Sequence, residues 1–405
     1  MKGTALKISA CLFAVVTGMI AIAILLHVKS IKELSPALME EDHRVEETLS
    51  VYEDWKKRYV KAADEGYYIS YNSSHDTVSE AHGYGMLIFA AMADHDSSAR
   101  QHFDGMFQYF KSFPSSENSA LMAWKQVRGS DGRMEDMQPE KTSSAADGDM
   151  DIALSLLIAD QKWGSREIDY KQEALQIIEA LMESVVDQED WILLLGDWAD
   201  KGDMQYRKAT RSSDWMPGHF YAFYQATGDS RWMNVYEKTI AIMQDLYEKH
   251  SPATALMPDF AAKEEELFLP VEAQFLESPY DGDYYYNACR YPWRAAAGLA
   301  VKEDERLRSM ITKLNEWMKK ETGGNPESIL AGYRLDGTPV SSHSDLAFTA
   351  PFTAAAYAVE GDSSWHQDLW NTVADENYEG NYYDETIRLL VMLQISGLDN
   401  HDDLF

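Results

Sequence analysis

About twelve stretches of helical periodicity, following one another with little else between them, most constrain what this chain can fold into. They fall near 46–64, 80–94, 97–112, 147–161, 168–187, 215–227, 230–249, 287–300, 304–321, 346–358, 363–374 and 381–396. In most of them apolar residues recur at i, i+3 and i+4, as Ile168, Tyr170, Ala174, Ile177, Ile178, Leu181 and Met182 do. Two kinds of helix are present. Stretches such as 80–94 and 346–358 are apolar all round and rich in small residues, which predicts burial on every side. Others, such as 304–321, carry one charged face and predict half-burial. Alternation of the two predicts an all-α fold, an α/α barrel of inner and outer helices. Strand signals are thin, confined to Trp191–Leu195 and Ala331–Leu335.

Composition narrows the function. A formal net charge of −31 and a pI near 4.6 argue against nucleic acid and against a basic membrane-surface patch. The two cysteines, Cys11 and Cys289, supply no disulfide framework, and no Cys/His cluster suggests zinc. Lys2 and Lys7 precede an apolar run from Ile8 to Leu26, with Lys29 and Lys32 after it. Residues 1–29 therefore read as a signal peptide or an uncleaved N-terminal membrane anchor. Residues 30–45, charged and containing Pro36, read as a spacer. Residues 46–405 read as one domain, exported and either secreted or tethered to the outer face of the plasma membrane.

Three carboxylate-rich stretches carry the chemistry. Glu80 stands in SEAHGYGM (Ser79–Met86) at the head of an apolar helix, where desolvation would hold a proton on it. A first-turn glutamate stabilised by the helix dipole is the competing reading. The second stretch is AADGDMDIA (Ala145–Ala153) and the third FLESPYDGDYYYNACRYPWR (Phe275–Arg294). Hydrolysis of a glycosidic bond needs one protonated carboxyl and a second carboxylate that activates water or attacks directly. DGDMD is no calcium loop, because Ile152 stands where a glycine is required. A helix-end cluster accounts for Asp149 and Asp151.

Glu80 in SEAHGYGM, TSSAADGDMDIALSLLIADQKWGS (Thr142–Ser165), SSDWMPGHF (Ser212–Phe220) and YYYNACRYPWR (Tyr284–Arg294) occur in this order. With GYRLDG (Gly332–Gly337) and YYDETIRLL (Tyr382–Leu390), the chain from about residue 50 to residue 396 closely resembles glycoside hydrolase family 8. The resemblance implies an (α/α)6 barrel, inverting stereochemistry and a β-1,4-linked polysaccharide substrate in an open cleft; the residues themselves suggest no cofactor or metal. It matches Glu80 to the general acid and Asp147 to the aspartate that contacts the distorted sugar. Asn287 departs from the commonest pattern, in which an aspartate base stands here; an amide cannot take a proton from water. A branch that includes chitosanases and lichenases shares the asparagine and draws its base from the preceding loop. Glu277, ten positions upstream, fills that role here, with Glu272, Asp281 and Asp283 as competitors.

Arg290 is expected to pair with a site carboxylate or to fix Asn287. Trp124, Trp198, Trp215, Tyr286 and Trp293 are possible sugar platforms, with Trp124 and Tyr286 favoured because they lie in or beside the motifs. His82 and His219 form no regular ligand set. The expected protein is a monomeric glycosidase acting on a β-glucan or on chitosan. The alternative is a carbohydrate-binding or cell-envelope protein on a degenerate hydrolase scaffold.

Overall fold

The structure, a computed structural model, describes residues 43–199 and 204–399. The targeting segment expected over 1–29, most of the spacer over 30–45, and Cys11 lie outside these residues. The chain divides into a unit ending at Leu49 and a unit Ser50–Phe405. Of the first, residues 43–49 are described and are helical. Among the described residues, no helix is long and apolar enough to cross a membrane.

The large unit opens with helix α1 (50–59), then the hairpin β1 (Val60–Ala63) and β2 (Gly66–Ile69), which replaces the last turn of the helix expected to reach residue 64. Strand β3 (Thr77–Val78) leads straight into α2 (Ser79–Ala91), followed by α3 (Ala99–Ser112). Strands β4 (Lys125–Arg128) and β5 (Met134–Asp136) join β3 in a three-stranded antiparallel sheet. Helices α4 (Ala146–Trp163) and α5 (Tyr170–Ser184) precede the hairpin β6 (Val186–Asp187) and β7 (Ile192–Leu193). Strand β8 (Ala209–Arg211), helices α6 (Pro217–Thr227) and α7 (Arg231–His250), and strands β9 (Phe260–Glu264) and β10 (Leu267–Pro270) follow. The last five helices are α8 (Tyr291–Val301), α9 (Glu305–Glu321), α10 (Leu346–Glu360), α11 (Ser364–Val373) and α12 (Tyr382–Ile395).

Every expected helix is present, and the two kinds occupy different layers. α2 packs on α4, α4 on α6, α6 on α8, α8 on α10, α10 on α12, and α12 back on α2. These even-numbered helices form a closed inner ring. In α2 every residue except Glu80 is buried, and α10 is buried from Leu346 through Ala356. Such helices have covered surface on all sides, so their sequences carry no polar stripe. The odd-numbered helices cover the ring: α3 lies on α2, α5 on α4, α7 on α6, α9 on α8 and α10, and α11 on α10. α3 buries Phe103, Met106, Phe107 and Phe110 and leaves its opposite face polar, the pattern of a helix with one dry side. α1 is fastened to α12 by a 2.8 Å hydrogen bond from Trp55 Nε1 to Thr386 Oγ1.

Among the described residues ten strands of two to five residues sit in the connections, more than the two expected. β7 falls within the expected Trp191–Leu195, whereas 331–335 holds only bridges from Tyr333 to Tyr284 and Pro339.

Two glycines decide how closely the first inner pair approaches. A Cβ on Gly148 would lie 2.4 Å from the carbonyl carbon of Ser79, and one on Gly83 would lie 2.7 Å from Asp151 Cβ. Only glycine lets α2 and α4 meet backbone to backbone there. That contact brings Glu80 beside Asp147.

Candidate active site

The inner helices open onto one polar cluster, and all six contribute to it. Glu80 is in the first turn of α2 and Asp147 in the first turn of α4. Asp214 precedes α6, Arg290 precedes α8, Asp345 stands at the N-cap position of α10, and Tyr383 is in the first turn of α12. Helix N-termini present unsatisfied N–H groups and partial positive charge, so they favour the carboxylates placed there. The short sheets aim the approaches. Ser79 N donates to Trp124 O at 2.9 Å, so β3 and the start of β4 fix where Glu80 begins its helix.

Arg290 is the hub. Its Nη1 donates to Glu80 Oε2 at 2.5 Å, to the Tyr84 hydroxyl at 3.0 Å and to Asp147 Oδ2 at 3.2 Å. Its Nη2 donates to Asn287 Oδ1 at 2.9 Å. The Asn287 amide then donates from Nδ2 to Glu277 Oε2 at 2.8 Å. Both pairings expected of Arg290 are present together. The circuit closes through Arg211, whose Nη1 reaches Glu277 Oε1 at 3.5 Å and whose Nη2 reaches Asp147 Oδ1 at 3.3 Å. Arg211 also holds Asp214, at 3.2 Å.

Glu80, Asp147 and Glu277 are thus gathered around two guanidinium groups, but in unequal surroundings. The Glu277 side chain is 45% exposed and Glu80 19%, while Asp147 keeps only 3%. Burial pushes the Glu80 carboxyl up to about 7, against the opposing pull of Arg290 and with help from Asp147. Asp147 moves the other way: its burial is overcome by Arg211 and Arg290, which hold it below the usual carboxylate range. One carboxyl keeps its proton near neutrality beside another that does not.

The competitors of Glu277 separate cleanly. Asp281 is buried and turned into its own loop, accepting from the backbone N–H of Leu276 at 2.7 Å, Glu277 at 2.9 Å and Ser278 at 2.8 Å. Among the described residues, Glu272 and Asp283 take no part in the Arg290–Arg211 circuit. Asp149 and Asp151 serve the scaffold: Asp149 accepts from Met122 N, and Asp151 takes Arg294 through both oxygens and His219 through Nε2.

Trp124 is 38% exposed with a ring open to solvent, and Lys125 Nζ sits 5.7 Å from its centroid. Tyr286 is half-buried, and its hydroxyl donates to Asp345. Trp198 is half-buried against the edge of Tyr206. Trp215 does not fit the role expected of it. It is 1% exposed and its Nε1 donates to Thr210 Oγ1, so the ring is core and offers no face to a sugar. Trp293 is buried against the Arg294 guanidinium. His82 is core as well: its Nε2 lies 2.8 Å from Met106 O, and burial pushes its pKa down to about 4. Among the described residues, the carboxylates with ligand-like spacing are Asp187, Glu189 and Asp190, which Lys208 already holds.

Sequence reasoning missed Arg211, Asp214 and Asp259. Arg211 directly precedes the SSDWMPGHF motif, which was the available signal. Asp259, in the loop before β9, carries no pattern at all. Its buried Oδ1 accepts from the backbone N–H of Tyr285 (2.9 Å), Asn287 (3.1 Å) and Ala288 (2.7 Å). Burial pushes its pKa up to about 7 against those donors.

Known proteins resemble this chain along most of its length. The sequence model for glycosyl hydrolases family 8 matches residues 41–397. A beta-glucanase of Niallia circulans is 44% identical over 348 residues, covering 85% of this chain and 83% of that protein. An endoglucanase of Bacillus sp. strain KSM-330 is 35% identical, covering 89% and 79%. The apo structure of a beta-1,3-1,4-glucanase from Paenibacillus sp. X4 superposes with a TM-score of 0.84 at 43% identity, over 88% of this chain and 93% of that one. A cold-adapted family 8 xylanase superposes at 0.73 with 15% identity, over 89% and 93%, a likeness of fold alone.

Proposed function

Because this chain belongs to glycoside hydrolase family 8 and is a glycoside hydrolase of the β-glucanase and endoglucanase group, we propose that it cleaves β-1,4 bonds inside a mixed-linkage β-glucan, with inversion, using Glu80 as acid and Glu277 as base. The observation that carries this reading is the relay Glu80–Arg290–Asn287–Glu277, which links two partly open carboxylates across the same cluster. Glu80 gives its proton to the leaving glycosidic oxygen. Arg290, already at 2.5 Å, then stabilises the carboxylate that remains. Glu277 takes a proton from a water, and the resulting hydroxide equivalent attacks the anomeric carbon from the opposite face. Asp147, kept ionised between Arg211 and Arg290, favours the positive charge developing on the sugar ring.

Asn287 supports membership in the branch whose base comes from the loop, since its amide orients Glu277 rather than replacing it. The relatives named for β-glucan favour mixed-linkage glucan over chitosan. Trp124 is the leading sugar platform and Tyr286 the second. Export, as a secreted or tethered enzyme, rests on the lysine-flanked apolar run and is tested by N-terminal sequencing of the protein recovered outside the cell. For the activity, purified protein is assayed for reducing ends on lichenan, carboxymethyl-cellulose and chitosan, with the product anomer followed by proton NMR. Fastest release from lichenan with the inverted anomer is expected. Release from chitosan alone overturns the substrate, and a retained anomer overturns the mechanism.

A further inference from the structure

The base proposed above sits on a loop, and loops are poor places to hold a group within the tolerance catalysis needs. Asp259 offers the missing support without touching the cleft. It is 2% exposed, and its Oδ1 gathers the backbone N–H groups of Tyr285, Asn287 and Ala288 within 3.1 Å. Its Oδ2 lies 3.4 Å from Asn287 Nδ2, the nitrogen that donates to Glu277 at 2.8 Å. The same residue ties in the second group on Glu277. Ser212 N, next to Arg211, donates to Asp259 O at 3.0 Å. The loop of Glu277 is secured to this point as well, because Asp259 N donates to Asp283 O at 2.8 Å and Phe260 N to Asp281 O at 2.9 Å. Asp281 in turn holds the N–H groups of Leu276, Glu277 and Ser278.

We propose that Asp259 is a positioning residue for the hydrolytic step, fixing the Asn287 amide and through it the orientation of the Glu277 carboxylate. The reason is geometric. A primary amide can present either end to Glu277, and only the NH2 end donates. Arg290 Nη2 claims the Asn287 oxygen from one side, while Asp259 Oδ2 accepts from the nitrogen on the other. With both in place the amide has one orientation, and its remaining N–H points at Glu277. Oriented this way, Glu277 gives Oε2 to the amide and Oε1 to Arg211 Nη1 at 3.5 Å, where it can still accept from a water.

The inference rests on Glu277 as base, and the test separates the two. Asp259→Asn keeps shape and one acceptor but sets an NH2 group against the Asn287 NH2. Steady-state kinetics on lichenan are expected to show kcat down by about 30-fold with KM changed less than about 3-fold, the scale of a small misplacement of a reacting group. Placed on an Asn287→Ala background, the same substitution is expected to cost less than about 3-fold more, because its route to Glu277 is already gone. Full multiplication of the two losses, or a kcat unchanged in Asp259→Asn, overturns the proposal. Should Asp259→Asn fail to fold, Asn287→Ala alone decides: a kcat within about 3-fold of wild type overturns it, and a loss of about 30-fold or more at steady KM supports it. Glu277→Gln marks the other failure. If that variant keeps its activity the base assignment falls, whatever Asp259 does.

Discussion

Glu80, the acid proposed above, shows how surroundings set the chemistry of one residue type. In water its carboxyl would be ionised throughout the neutral range. Here burial raises it to about 7, while Arg290 stands ready to neutralise the charge once the proton has gone. A general acid works only while protonated, so kcat/KM for lichenan is expected to fall as pH rises through about 7. Glu80→Gln keeps the shape and removes the proton. Its kcat should drop by about 10³-fold with KM little changed, and the fall above neutrality should vanish from whatever activity is left. A variant with wild-type turnover on lichenan would remove Glu80 from the mechanism. Trp124 makes a second prediction at this scale. Its open ring should contribute stacking, so Trp124→Ala should raise KM about 10-fold, while Trp215→Phe, in the core, should leave KM within about 2-fold and lower Tm instead.

At the scale of elements, the contact between α2 and α4 carries the site. Gly148→Ala is a substitution that helix propensity alone would favour by about 1 kcal/mol. The added Cβ, however, would lie 2.4 Å from Ser79 carbonyl carbon and 2.6 Å from Ser79 O, and backbone cannot swing aside as a side-chain tip can. Overpacking of this kind costs about 3 kcal/mol, so the clash wins. Thermal unfolding should show a lower Tm, and activity should fall with it, because separating the helices moves Glu80 from Asp147. An unchanged Tm would mean that the two helices are not held at that distance. The element scale also explains what was legible in the sequence. All twelve helices could be read because each buries a periodic face or is buried entirely. Strands β9 and β10 could not, because a pair of four- and five-residue strands around Glu265 and Glu266 offers no alternation long enough to stand out. The site divides in the same way. Glu80 and Asp147 stand at the heads of strongly marked helices, whereas Asp259 and Arg211 act from loop and strand ends. Their partners are set by the closure of the ring, which no local pattern encodes.

The whole molecule combines a closed ring of buried helices with a formal charge of −31, and the two together set its response to pH. Among the described residues, seven carboxyls are raised in the folded state by desolvation: Glu80 and Asp259 to about 7, Asp214 and Asp384 to about 6, Asp149 well above its usual range, and Asp136 and Asp283 upward as well. In the unfolded chain such groups titrate near 4. Between those limits the folded protein binds more protons than the unfolded one, so stability is lost as pH rises from about 4 to about 7. Asp151, lowered to about 2 despite its burial by Arg294 and His219, works in the opposite sense, but its contribution is nearly complete by about pH 5 and changes little above it. His82, lowered to about 4 by burial, and His250, lowered less, do oppose the trend, since the unfolded chain takes up their protons first. Seven carboxyls against two histidines leave the carboxyls ahead. Self-repulsion among the acidic surface groups adds to them as pH rises, and salt screens that part alone. At low ionic strength Tm is therefore expected to be several degrees higher near pH 5 than near pH 8. Added salt should raise Tm more at the higher pH and narrow the gap without closing it, because the buried carboxyls lie beyond the reach of screening. Calorimetric scans at the two pH values, each at low and high salt, check both parts. A Tm at pH 8 equal to or above that at pH 5 in low salt would mean that the carboxyls of the inner ring do not pay the desolvation cost their burial implies.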